Sequence, residues 1–220
     1  MALRRAYAET MTRALVTGFV PFADDTANPS GDAVRLLAAS WSGPAALVTA
    51  ILPVSFDGAA AALRSLIDEH RPDVVIATGL AGDRGGITPE RIAVNLADAR
   101  IPDNDGAQPI DAPSVPGAPA AFFATLPVKA IVADLRAAGV PASVSHSAGT
   151  FVCNHVMFHA LHATTGVAGV RAGFVHVPWT TDHRADAVVS TADVARALAL
   201  VLETTLRTPV DPPLVGGALS

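Results

Sequence analysis

Residues 74–79 read Val74-Val75-Ile76-Ala77-Thr78-Gly79, an apolar run that opens on three β-branched residues and stops at glycine. A run without polar alternation suits a strand covered on both faces, as in a parallel sheet. Upstream, Ala46-Leu47-Val48-Thr49-Ala50-Ile51-Leu52-Pro53-Val54 is a second strand candidate. The segment between them, 58–69, places Ala62, Leu63, Leu66 and Ile67 on one helical face, with Ser55 or Asp57 as its cap. This strand–helix–strand order predicts right-handed βαβ units. Further upstream, Ala14-Leu15-Val16-Thr17-Gly18-Phe19 is another buried-strand pattern, and Ser30 is positioned to cap a helix over 31–39.

Downstream, Leu80-Ala81-Gly82-Asp83-Arg84-Gly85-Gly86 is a glycine-rich turn without the spacing or lysine of a phosphate loop. Ile92, Val94 and Leu96 alternate within 87–100, which predicts an edge strand. Residues 101–119 are broken by prolines and glycines, so a long loop is expected there, serving as a lid, a wall or an association surface. Its aspartates lack calcium-loop spacing. A short apolar element over 120–126, a helix over 128–139 stopped by Gly139, and a strand over 141–145 follow. Then come a helix from about Cys153 to Thr165, a strand over 170–178, a polar loop, and a last helix capped by Thr191 or Asp193 and running to Leu206. The fold expected is a single-domain three-layer α/β/α sandwich with a mostly parallel, mixed central sheet. The domain spans 13–208, between a loose extension at 1–12 and a frayed tail at 209–220. Met1 and Met11 are alternative starts.

The chain has 220 residues, half of them apolar, and a net charge of -5 from 15 basic and 20 acidic residues. That size suits one well-cored domain, and the composition argues against disorder. No basic block offers a nucleic-acid surface. No apolar run has membrane-spanning length, and no secretory leader pattern stands at the start. A lone cysteine fits a cytoplasmic protein.

That cysteine carries the chemistry to be weighed. Ser145-His146-Ser147-Ala148-Gly149-Thr150-Phe151-Val152-Cys153 delivers a thiol to the start of a helix, where free N–H groups and the helix dipole favour thiolate. A small buried hydrophobe is the competing reading. Of the seven histidines, His176 ends a strongly apolar strand, the place where α/β folds collect catalytic groups. It is either a base or a satisfied near-core ring. His155 and His159 lie at metal-ligand spacing but lack the intervening glutamate and further ligands. Glu90, Asp98 and Asn154 are candidates to orient an imidazole, and Glu90 and Arg91 equally suit a solvated pair. Phe19 and Phe22 are either pocket walls or loop anchors.

Several segments together resemble the pyroglutamyl peptidase type I family, also called pyrrolidone-carboxylate peptidases. They are Thr17-Gly18-Phe19-x-Pro21-Phe22 with Asn28-Pro29-Ser30, Gly79-x-Ala81-Gly82-x-Arg84 with Thr88-x-Glu90-Arg91, Asp98-Ala99-Arg100-Ile101-Pro102-Asp103-Asn104, Gln108-Pro109-Ile110-Asp111, Ser147 to His155, and Gly173-Phe174-Val175-His176-Val177-Pro178. The resemblance implies a cysteine exopeptidase that removes N-terminal pyroglutamate through a thioester. Cys153 would be its nucleophile, His176 its base and Glu90 the orienting carboxylate. It also implies Arg100 near the oxyanion region, Phe19 and Phe22 as walls for the ring, Leu80 beside the pocket, and no metal or cofactor. A cytoplasmic homo-oligomer, dimer or tetramer, is implied as well. The sequence departs from the pattern at Val20, where an acid is usual, at Ala23-Asp24, where two glycines are usual, and at Leu80, where glutamine is frequent. Two alternatives remain: a related cysteine amidohydrolase for another small cyclic amide, and a non-enzymatic α/β binding protein on the same scaffold.

Overall fold

The computed structural model describes residues 11–217. Residues 1–10 of the expected extension and 218–220 of the tail lie outside that range. The chain runs β1 (Arg13–Phe19), α1 (Pro29–Ser40), β2 (Ala46–Leu52), α2 (Phe56–His70), β3 (Val74–Leu80), β4 (Thr88–Pro89), β5 (Ile92–Val94), β6 (Ala121–Phe123), α3 (Val128–Ala137), α4 (Val152–Thr164), β7 (Arg171–Val177) and α5 (Thr191–Arg207). The main sheet has the order β2-β1-β3-β7-β4. Its first four strands are parallel, and β4 pairs antiparallel to β7.

Strand alternation separates two cores. Val74 and Ile76 of β3 and Val175 and Val177 of β7 face one core, which α1, α3 and α5 complete. Val75 and Ala77, with Ala172 and Phe174, face the other, which α2 and α4 complete. Both faces of the central strands are therefore apolar, which is why they read as unbroken hydrophobic runs. The alternation also sets the aim of the next residues. Gly79 continues the 75, 77 series and His176 continues 172, 174, so both face α4, and the two are paired in register.

Some local devices differ from the sequence reading. Asn28, not Ser30, caps α1, with its Oδ1 accepting from Ser30 N at 3.1 Å and Pro29 in the first turn. Ser190, not Thr191 or Asp193, caps α5, and Asp193 returns the bond to Ser190 N in a reciprocal capping box. The 87–100 segment is not one strand. It breaks after β4, and β5 turns away to pair with β6 in a separate two-stranded sheet. Residues 141–145 form isolated parallel bridges, Ile87 to Ala142 and Glu90 to Ser145.

The proline-rich loop is tied into its neighbours by hydrogen bonds. Ser55 makes no side-chain cap for α2; the buried Asp103 supplies one across the chain, its Oδ2 accepting from Phe56 N at 2.8 Å. Its Oδ1 accepts from Asp105 N and Ala107 N, so this carboxylate holds its own loop in shape. Asn104 then bonds Pro21 O and Ala23 N, each at 3.0 Å, and fixes the loop after β1. The expected frayed tail is tied down as far as Asp211, whose carboxylate accepts from Lys129 N and Ala130 N at the start of α3. Pro127 precedes that helix without a cap of its own. Asp211→Ala should therefore lower stability by about 1 kcal/mol, the usual worth of a helix cap. Urea denaturation measures it, and an unchanged midpoint would show the contact to be idle.

Candidate active site

Cys153 occupies the first turn of α4, after Phe151 as N-cap. No side chain caps this helix. The N–H groups of Val152, Cys153 and Asn154 therefore lack the intrahelical partners that later residues have. Below them, Gly79 permits a close approach: a Cβ there would lie 2.8 Å from Cys153 Sγ and 2.8 Å from Phe174 Cζ. The nucleophile candidate thus sits on the end of β3, beside the β7 residue paired with Gly79, which is His176. The Phe174 ring packs 4.7 Å from the imidazole.

Glu90 reaches the same place through β4. Thr88 pairs with His176, and Glu90 N donates to Phe174 O at 2.9 Å, which turns the Glu90 side chain toward the α4 face. Its carboxylate is fully buried. His176 Nδ1 lies 2.7 Å from Glu90 Oε1. Arg84 Nη1 donates to the same oxygen at 2.5 Å and to Thr88 Oγ1 at 2.7 Å, while Nη2 donates to Ser147 O at 3.1 Å. Burial works against the charge on Glu90, but the hydrogen bond and charge of His176, with help from Arg84, hold its pKa below the usual value. Glu90 Oε2 has no hydrogen-bond partner, and the Ser145 hydroxyl donates to Ser147 O instead.

The electrostatics revise one expectation. Burial, then the Glu90 carboxylate, push the Cys153 thiol up to about 12, against the opposing Arg84 charge. The helix start does not win. At neutral pH the sulfur therefore rests as the thiol rather than the thiolate. Burial also lowers the His176 pKa, more than Glu90 raises it. The resting pair is therefore thiol and neutral imidazole. An ionised Glu90 accepts at Nδ1, so the proton sits there and Nε2 is the free base.

Next to Cys153 a pocket of about 110 Å³ opens between the ends of β1, β3 and α4. Phe19, Phe22 and Phe151 form aromatic walls, with Leu80 and Val54 completing the apolar lining. Phe151 stands edge-on to Phe22 at 5.4 Å and to Phe56 at 5.3 Å. Asn28 also lines the pocket; its Nδ2 donates once, to Val20 O at 3.0 Å, leaving one amide N–H unspent. Phe19, Phe22 and Leu80 thus meet around one cavity as the resemblance implied. Arg100 is exposed and does not line it. Its segment is nevertheless held beside the cysteine turn, because Thr150 Oγ1 donates to Asp98 O and Asp98 N to Thr150 O. Asn154, a candidate orienting group, instead bonds Val94 and Leu96 and anchors α4 to β5. The His155 and His159 rings lie 4.5 Å apart at a tilt of 54°, but no group of three or more potential metal ligands gathers among the described residues. Burial, with the His159 charge, pushes His155 down to about 4, so it is a neutral ring packed edge-on against Phe56.

Two residues had no assigned role in the sequence reading. Phe151 had a signal, an aromatic immediately before the cysteine helix. Arg84 had a weaker one, an arginine inside a glycine turn following a strand. Because its charge lowers the His176 pKa, removing it should raise that pKa. Arg84→Met should then move the acid limb of the pH–rate profile to higher pH and cut neutral activity roughly tenfold, about 1.4 kcal/mol. Arg84→Lys should restore the limb. A profile that stays in place in Arg84→Met would remove the electrostatic role.

The chain is similar to known proteins along nearly its whole length. A family model described as pyroglutamyl peptidase matches residues 12–207. The pyrrolidone-carboxylate peptidase of Klebsiella pneumoniae is 47% identical over 212 residues, covering 94% of this chain and 99% of that protein. Its counterpart from Streptomyces coelicolor is 48% identical over 208 residues, covering 93% and 96%. Among solved structures, pyroglutamyl peptidase I of Bacillus amyloliquefaciens superposes with a TM-score of 0.87 at 38% identity, covering 91% of this chain and all of that one. Pyrrolidone carboxyl peptidase of Thermococcus litoralis gives 0.87 at 39%, covering 93% and 100%. With near-complete coverage in both directions and its cysteine, histidine and glutamate segments in order, the chain belongs to the pyroglutamyl peptidase family of cysteine peptidases.

Proposed function

We propose that this protein is a cysteine exopeptidase that hydrolyses the bond after an N-terminal pyroglutamyl residue. The observation that carries the reading is the Glu90–His176 pair at 2.7 Å, set on the strand beside Cys153, with the thiol opening into an aromatic pocket. Pyroglutamate is a flat, uncharged lactam. Phe19, Phe22 and Phe151 bury its faces, and the spare Asn28 N–H meets its polar edge. A substrate without a free ammonium needs no acidic anchor.

The reaction follows from the resting protonation states. His176 Nε2 takes the thiol proton as Cys153 Sγ bonds to the pyroglutamyl carbonyl carbon. Negative charge on the former carbonyl oxygen meets the uncapped N–H groups of the first turn of α4. Arg100, carried beside Thr150, adds positive potential from the solvent side. The C–N bond then breaks, and the imidazolium returns its proton to the leaving amine. Water attacks the thioester while His176 takes one of its protons, the C–S bond breaks, and that proton returns to sulfur. Glu90 stays ionised throughout and stabilises the transient imidazolium. No step needs a metal or cofactor.

We place the protein in the cytoplasm as a dimer or tetramer. One cysteine, with none to pair with internally, fits a reducing compartment. Among the described residues no helix is long and apolar enough to cross a membrane. The exposed Phe123 and Ile110 offer apolar contact surface for association.

Hydrolysis of a pyroglutamyl chromogenic amide tests the reading. The wild type should turn it over, and Cys153→Ser should lose at least about a thousandfold in kcat. Wild-type-like turnover in that variant would refute the nucleophile. Leu80 favours a second reading, a related hydrolase for another small cyclic amide, because it presents no polar group to the lactam. Leu80→Gln separates the two. On the pyroglutamyl reading it should lower KM for the amide by up to about tenfold, the worth of one added hydrogen bond. A KM that rises while another cyclic amide is the better wild-type substrate would favour the second reading.

A further inference from the structure

A second cavity, of about 200 Å³, has in its lining Arg84, the guanidinium partner of Glu90. It is formed by the loops that follow β3 and β7, the strands carrying Gly79 and His176. Arg84 belongs to both places: its guanidinium holds Glu90, and the residue lines this cavity. The first pocket lies toward β1 and the second toward β7. The group that protonates the leaving amine is His176, on β7. An acyl group seated in the aromatic pocket would send its leaving amine toward β7, whose following loop forms one wall of the second cavity.

The cavity is built rather than incidental. Ala81 N donates to Val177 O at 2.9 Å, joining its two loops. Trp179 lies against Gly82, where a Cβ would come within 2.6 Å of the indole Nε1, so glycine admits the ring. Its loop is pinned from behind, with His183 Nδ1 2.6 Å from Thr180 Oγ1 and His183 Nε2 3.1 Å from Asp32 Oδ2. The Arg184 guanidinium lies over the Trp179 ring, 4.3 Å from its centroid. Arg184 is exposed and forms no ion pair with a carboxylate among the described residues. Asp83 and Asp186 stand at the rim, also exposed. Of the charges not already committed to Glu90, the guanidinium is the one held in place by stacking, which lowers the entropy lost on pairing.

We propose that this cavity is the subsite for the leaving residue and that Arg184 pairs with a carboxylate on it, the free C-terminal carboxylate of a pyroglutamyl dipeptide. The Pro178 and Val188 side of the cavity receives that residue's side chain. This rests on the peptidase reading above.

Two substrates differing only in that carboxylate, pyroglutamyl-alanine and pyroglutamyl-alanine amide, test it. The wild type should prefer the free acid in kcat/KM by about three- to fivefold, the scale of one exposed ion pair. The preference should shrink as salt is raised. In Arg184→Gln the ratio should fall to about one, and in Arg184→Glu it should invert. A wild-type ratio at or below one, or a ratio unchanged in Arg184→Gln, overturns the subsite while leaving the peptidase reading intact. A wild-type preference for pyroglutamyl-lysine amide over the alanine amide that disappears in Asp186→Asn would assign the cavity to cationic residues and overturn the charge assignment. No hydrolysis of any pyroglutamyl substrate by the wild type would overturn both readings.

Discussion

A fully buried carboxylate governs the geometry of this molecule's active edge. Glu90 has no exposed surface, and an unpaired charge there would cost several kcal/mol. It is held because one oxygen receives both the His176 imidazole and the Arg84 guanidinium. Those contacts are not interchangeable with water, so the three side chains and the segments carrying them are fixed together. The antiparallel turn of β4 against β7 follows from that need. A parallel sheet delivers groups at the ends of its strands, and only a returning strand brings a carboxylate back beside the end of β7.

The rest of the site is a consequence of sheet alternation. Residues 75, 77 and 79 of β3 and 172, 174 and 176 of β7 face one core. At the carboxyl edge the apolar series gives way to a glycine and a histidine. The glycine lets the first turn of α4 press a thiol onto the sheet, and the histidine stands beside it. Asp103 and Asn104 then clamp the loops around the pocket through backbone N–H and C=O groups. The long loop that the sequence marks as irregular is thereby among the most heavily bonded segments near the site.

What was legible in the sequence was periodic or terminal. The buried strands, the two-faced sheet, the cysteine at a helix start and the histidine at a strand end all follow from patterns within ten or so residues. Glu90 was visible only as one of three candidate orienting groups, with Asp98 and Asn154, and family resemblance selected it. What could not be read locally depends on partners far along the chain. Asp103 caps a helix 47 residues earlier, and Asp211 one 82 residues earlier. Arg84 looked like turn chemistry until Glu90 and Ser147 were brought to it. The same limit explains the thiol. A helix start near Cys153 can be read from residue types, but the burial and the Glu90 charge that outweigh it come from other elements.

That neutral thiol bears on how the enzyme avoids indiscriminate chemistry. A preformed thiolate would react with any accessible electrophile, whereas a thiol with a raised pKa, in the role proposed for Cys153, reacts only when a base takes its proton. His176 is neutral for the same reason, burial, so the proton transfer becomes favourable only as charge develops on a bound carbonyl. The aromatic pocket then acts twice. It selects a flat uncharged ring, and by excluding water it strengthens the Glu90 field that stabilises the imidazolium. Leu80 extends the apolar wall. Such a wall offers no hydrogen bond to the polar edge of a bound ring.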